Sequence, residues 1–136
     1  MESPGLIVLD TCALIWLVSD PKLLTRVAYQ SIFSAMEDRR ACFSTISYWE
    51  IAHAFSRNKI IFEKGFREFI AVMNGAFQLT EISIQPDIAE LSVSFPPEIN
   101  NDPADRIIAA TSIILHASLI TADKNLCKSK LIKTIW

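Results

Sequence analysis

Glycine is scarce in this chain, with three among 136 residues. No G-x-x-x-x-G-K-[ST] loop occurs, so ATP or dinucleotide binding of the usual kinds is not expected. The three cysteines, Cys12, Cys42 and Cys127, form no C-x-x-C pair. With only His53 and His116 beside them there is no zinc constellation, and the thiols read as inert groups in a reducing compartment. Long apolar runs are missing too. The longest, Ile107 to Leu115, falls far short of the roughly 20 residues of a membrane span. The start, Met1-Glu2-Ser3-Pro4-Gly5, has no basic segment before its apolar run, so a signal peptide is not expected and a cytoplasmic protein is. Excess positive charge is also lacking: the formal net charge is −2, which gives no global pull on nucleic acid. Basic groups occur only in patches, Arg39-Arg40, Arg57 with Lys59, Lys64 with Arg67, and Lys124 through Lys130, each of which reads by itself as a solvated helix face.

What is abundant is apolar: 51% of the residues are hydrophobic. That suffices for a sizeable core in one domain spanning 1–136, with surface left over for an interface. No repeat, low-complexity tract or linker divides the chain.

The continuous run Gly5 to Leu9 suits a strand buried on both faces of a parallel sheet. Helical patterns follow over Ala13–Val18 and Leu23–Asp38, the second with Leu24, Val27, Ile32 and Ala35 or Met36 inward. Ala41–Ser44 reads as a second strand, then Ser47–Ser56 and roughly Phe62–Phe77 as helices. Phe77–Ile82 alternates weakly, as a third strand would. Pro86 opens a helix that Pro96-Pro97 ends, and Asp102-Pro103 opens another, apolar on most sides through Leu115. Leu119–Thr121 and Leu131–Trp136 complete the strands. This alternation predicts a three-layer α/β/α sandwich around a central, mainly parallel sheet.

Four acids occupy positions with chemical meaning: Asp10, Glu50, Asp105 and Asp123. Each has an ordinary explanation. Asp10 fits a helix N-cap. Ser47-x-x-Glu50 fits a capping box. Asp102 before Pro103 is a cap, which leaves Asp105 in the first turn, favourable to the helix dipole. Asp123 suits a turn. In a parallel sheet, however, all four reach the carboxyl edge, where α/β ligands bind. Two carboxylates ~4 Å apart repel by about 4 kcal/mol at an effective dielectric near 20, so such a cluster calls for a cation. Hard oxygen donors suit Mg²⁺ or Mn²⁺.

The segments Leu9-Asp10-Thr11-Cys12-Ala13-Leu14, Ile46 to Ala52, Asp102-Pro103-Ala104-Asp105-Arg106 continuing to Thr111, and Leu119 to Asp123 come in order and with ordinary spacing. Over nearly its whole length the chain resembles the PIN-domain ribonucleases, specifically the VapC toxins of type II toxin–antitoxin pairs. The resemblance implies an endoribonuclease that uses Mg²⁺, or Mn²⁺ in its place, held by catalytic acids at Asp10, Glu50, Asp105 and Asp123. It makes Asp10 and Asp105 the main ligands, Asp123 one acting through water, and Asp102 a cap or outer group. It also implies an RNA substrate, a homodimer, a cognate antitoxin, and DNA contact only through the antitoxin complex. One departure stands out: Asn100-Asn101 lies where a basic residue or histidine commonly precedes the D-P-x-D-R segment, which bears on substrate contacts and not on the metal site.

The chemistry expected is phosphodiester hydrolysis by metal-activated water. Arg57, Lys59, Lys64, Arg67 and Lys124 are the candidate RNA-guiding residues, and Phe62, Phe66 and Phe69 form either an antitoxin groove or internal core. Thr11, Thr45 and Thr121, beside the acids, are candidate donors to water or phosphate. His53 and His116 read as structural, with His116 near a helix C-terminus. Tyr48 and Trp49 read as packing residues that could also stack on a base. Two other classes fit part of the pattern. One is another Mg²⁺-dependent phosphatase, weakened because Thr11-Cys12 follows Asp10 where a D-x-D nucleophile motif needs a second acid. The other is a non-catalytic module that binds an antitoxin and, with it, DNA.

Overall fold

The computed structural model describes residues 4–136. Strands β1 (Ile7–Leu9), β2 (Ala41–Ser44), β3 (Thr80–Ile82), β4 (Ser118–Ile120) and β5 (Thr134–Ile135) form one sheet in the order β3-β2-β1-β4-β5. Every pairing in it is parallel. The helices are α1 (Thr11–Ser19), α2 (Arg26–Glu37), α3 (Ile46–Ser56), α4 (Gly65–Ala76), α5 (Pro86–Ser94), α6 (Pro103–Ile114) and α7 (Lys124–Lys128), with a 3₁₀ turn at Pro21–Leu23.

The strands send alternate residues to opposite faces. Ile7, Leu9, Ala41, Phe43 and Ile120 join a core filled by α1, α2, α3 and α4. Val8, Cys42 and Leu119 join a second core filled by α5, α6 and α7. Buried on both faces, the central strands need the continuous apolar runs seen in the sequence. The result is the expected three-layer sandwich. The chain proceeds from β1 to β2 on one side and later returns to β4 on the other. The crevice between the carboxyl ends of β1 and β4 is therefore the switch point of the sheet.

Several boundaries differ from expectation. The helix predicted from Phe62 starts at Gly65, whose φ of +83° turns the chain into α4. The third and last strands shrink to Thr80–Ile82 and Thr134–Ile135. Val27, expected inward, is 55% exposed while Ala28 is buried, because α2 begins only after the cap at Thr25 and its core face is rotated. Phe69 is fully buried, and Phe62 and Phe66 pack against the same core, with Phe62 edge-on to Phe69; the internal-core reading of these rings therefore holds for Phe69. His116 takes φ +53° directly after α6 and returns its N–H to the Ile113 carbonyl, terminating the helix through its backbone. Among the described residues, no helix is long and apolar enough to cross a membrane.

Candidate active site

Each of the four acids begins a helix or lies in one at the carboxyl edge of the sheet. Asp10 follows β1 and N-caps α1, accepting from the Ala13 N–H at 2.8 Å. Asp123 follows β4 and N-caps α7, accepting from the Leu126 N–H at 3.0 Å. The turn expected around Asp123 is thus the start of a short helix that the sequence reading missed. Asp102 caps α6 through the Ala104 and Asp105 N–H groups, and Asp105 sits in that helix's first turn.

Glu50 is different. The capping box is absent: Thr45 is the N-cap of α3 and makes no side-chain cap bond. Ser47 is fully buried and its hydroxyl lies 2.9 Å from that of Thr11. The Thr11 hydroxyl donates to Glu50 Oε1. Having spent its one proton there, Thr11 must accept from Ser47. Glu50 is therefore aimed at the crevice by a chain of hydroxyls.

Asn100 completes the cluster. Its Nδ2 donates to Asp105 Oδ2 at 2.9 Å and to Asp123 Oδ2 at 3.1 Å, while its Oδ1 accepts from the Asp102 N–H at 3.0 Å. The reverse amide orientation would set a carbonyl oxygen against two carboxylates, so this one is fixed. The departure noted at this position thus ties two of the acids together. Sequence reasoning missed its role because the contact with Asp123 spans 23 residues. Arg106 holds the loop that carries Asn100: Nε donates to the Ser92 carbonyl, one terminal nitrogen to the Asn100 carbonyl at 2.9 Å, and the other to the Phe95 carbonyl.

The electrostatics follow from this crowding. Asp105 is pushed up to about 7, by burial first and then by Asp102, Glu50, Asp123 and Asp10. Asp10 is pushed up to about 6 by burial, with Asp123 adding to it and Thr121 and the Ala13 N–H opposing. Glu50 is raised by burial, against the Thr11 bond, and further by Asp102 and Asp10. The Cys12 thiol rises to about 11 through burial and the charges of Asp10, Glu50, Asp105 and Asp123, so beside the cation-free acids it stays protonated near neutral pH. Thr121 is buried and its hydroxyl accepts from the Asp123 N–H.

One carboxylate oxygen from each of Glu50, Asp102 and Asp105 lies within 4.8 Å of the others. This all-oxygen set fits a hard divalent cation and offers nothing soft for zinc. Asp102, expected to be only a cap or outer group, is thus both a cap and a member of the tightest trio. Asp10 and Asp123 reach the same crevice electrostatically.

These shifts set a pH dependence for the cation-free protein. Asp10 and Asp105 hold protons in the folded state up to about 6 and about 7, but lose them near 3.8 when unfolded. Between these values the folded state binds more protons, so stability is greatest below the unfolded value and falls as pH rises through the folded ones. Thermal melts in EDTA should show Tm decreasing from pH 5 to pH 8. Saturating Mg²⁺, which competes with those protons, should flatten or reverse the trend.

Comparison with known proteins identifies relatives of the chain. A family model described as PIN domain matches residues 7–130. Ribonuclease VapC22 from Mycobacterium tuberculosis is 31% identical over 124 residues, covering 88% of each chain. In the VapBC2 structure from Rickettsia felis, bound to a DNA fragment from its promoter, the matching chain superposes with a TM-score of 0.72 at 13% identity, covering 95% of this chain and 96% of that one. The DNA-bound VapBC of Salmonella typhimurium gives 0.71 at 15%, with 96% of both covered.

Proposed function

The chain belongs to the PIN-domain family, and from that premise we propose that it is a divalent-metal-dependent endoribonuclease, the toxin of a toxin–antitoxin pair. The observation that carries this reading is the convergence of Asp10, Glu50, Asp102, Asp105 and Asp123 on one crevice, with Asn100 bridging two of them. The ribonuclease relative, similar across 88% of the chain, agrees with it.

In this reading Glu50, Asp105 and Asp10 would hold Mg²⁺ or Mn²⁺, with Asp102 beside them and Asp123 in reach of a bound water. The ion, when bound, polarises a phosphate oxygen and acidifies water. The chain's own groups do the rest. Thr11 fixes Oε1 of Glu50, so that carboxylate keeps one orientation toward the crevice, and Asp123, the acid not placed on the ion, is left to take the proton of the attacking water. Asn100 keeps Oδ2 of Asp105 and Oδ2 of Asp123 from swinging apart. In-line attack releases the 3′ oxygen and leaves 5′-phosphate and 3′-hydroxyl ends. Arg57, Lys59, Lys64, Arg67 and Lys124 are all exposed and are the candidates for guiding RNA.

The partners proposed are an antitoxin protein, DNA only in complex with it, and a second copy of this chain. Two of the structural neighbours are VapBC complexes on DNA. Exposed Leu23 and Ile61 beside Trp16 and Ile60 offer an apolar cleft suited to a protein.

The test is cleavage of single-stranded RNA by purified protein. EDTA should abolish it, and Mg²⁺ or Mn²⁺ should restore it. Cleaved ends should accept ligation as 5′-phosphates. Cleavage that persists in EDTA, or a phospho-enzyme trapped by acid, would overturn the assignment.

A further inference from the structure

Beside the acids lies a cleft of about 550 Å³ between α3 and the start of α6, lined by Ile46, Trp49, His53 and Ile107 and by the acids Glu50 and Asp102. That is within the size range of small-ligand sites. Its walls combine apolar side chains with carboxylates of the proposed catalytic centre. Trp49, read from the sequence as a packing residue that could also stack on a base, is 61% exposed. Its indole lies on the His53 imidazole with centroids 5.0 Å apart and planes 12° from parallel. A large aromatic ring held flat on one face and open on the other is an uncommon surface feature that burial does not explain.

Helical spacing extends the feature. Trp49 and His53 are i, i+4 positions on α3 and share one face, and Arg57, four residues further, is the C-cap residue just past the helix. They run ~12 Å outward from the acid cluster at 1.5 Å per residue. Arg57 is exposed and, among the described residues, meets no carboxylate within ion-pair distance.

We propose that this stripe is a single-stranded RNA subsite in which a nucleobase next to the scissile phosphate stacks on Trp49 while Arg57 holds a backbone phosphate further along. The inference rests on the endoribonuclease reading and adds a residue that positions substrate. The occupant follows from chemistry and continuity. The cleft opens onto the proposed phosphodiester-cutting acids, its aromatic face suits any base, and the guanidinium suits the next anion. Glu50 and Asp102 at the inner end repel a phosphate unless a cation intervenes, so the neutral base lies in the cleft.

The test uses the full chain and a single-stranded RNA that the wild type cuts, together with matched RNAs lacking the base at one position near the cut. Trp49→Ala should raise KM roughly 5- to 150-fold, the equivalent of one lost base–aromatic stack, with little change in kcat. Trp49→Phe should recover most of that loss. For the wild type, removing the base at one position should raise KM similarly; for Trp49→Ala the same removal should do nothing more, because both changes delete one contact. Arg57→Ala should weaken all substrates alike and lower the salt-dependence slope by about 0.7. Additive effects of Trp49→Ala and base removal, or an unchanged KM in active Trp49→Ala protein, would overturn the subsite and leave the nuclease reading standing. So would a rise in KM explained by a change of oligomeric state in light scattering, which would make the stripe an interface between copies. Failure of the wild type to cut any RNA would instead remove the nuclease reading, and the subsite with it.

Discussion

Replacing Asp105 by asparagine should lower RNA cleavage by roughly 10²- to 10³-fold, the several kcal/mol that a metal ligand contributes to charge stabilisation, while the cation-free protein melts at a higher temperature than wild type at pH 8. The two effects have one origin. Burial first, and then Asp102, Glu50, Asp123 and Asp10, hold the Asp105 proton on to about 7. At pH 8 it must carry its charge among like charges, a destabilising arrangement when no cation is present. Asparagine keeps an oxygen that can still accept the Asn100 amide and removes the charge. Melts in EDTA and in Mg²⁺, run beside cleavage assays, separate the outcomes. The variant should gain less from Mg²⁺ than wild type does. A variant that is both inactive and less stable in EDTA would show that Asp105 supports the fold, contrary to this account. Asp10→Asn should likewise remove cleavage with the fold retained.

Removing Arg106 should lower the stability of the fold markedly. Its guanidinium reaches the Ser92, Phe95 and Asn100 carbonyls and lies 5.8 Å from the Phe95 ring centroid. Arg106→Ala leaves those carbonyls without their charged donor. With hydrogen bonds to charged groups contributing ~1.5–3 kcal/mol each, and water replacing part of that, a loss of about 3 kcal/mol is expected. For a chain of this size that lowers Tm by roughly 10 °C. Arg106→Lys should recover little, because a single ammonium cannot span carbonyls that a planar fork reaches together. Activity measured well below Tm should also fall, since the loop that aims Asn100 at Asp105 and Asp123 loses its anchor. A melt unchanged within about 2 °C would refute this role for Arg106.

The layered architecture was readable because a strand buried on both faces leaves a distinctive trace. Ile7-Val8-Leu9 and Ala41-Cys42-Phe43 are short apolar runs, and each is followed by a helix start. The acids were readable for a related reason: a carboxylate that ends a strand and caps the next helix is local chemistry, and Asp10, Asp102 and Asp123 all cap. Where local logic misled, a competing contact took the side chain. Ser47 satisfied a capping pattern at the right spacing, yet its hydroxyl is used by Thr11, 36 residues away. Trp49 read as a packing residue that could also stack on a base, and its position on α3 turns it to solvent.

The order of the segments, the caps and the acidic character of the crevice are properties of the sequence alone, because each depends on residues within a few positions of one another. Only the tertiary structure could decide which carboxylates meet, that Asn100 joins Asp105 to Asp123, that Arg106 clasps the loop before it, and that Trp49 and His53 form an open stacked pair. Those relations depend on parallel strands from distant parts of the chain closing into one sheet, so that side chains far apart in sequence arrive at a common edge.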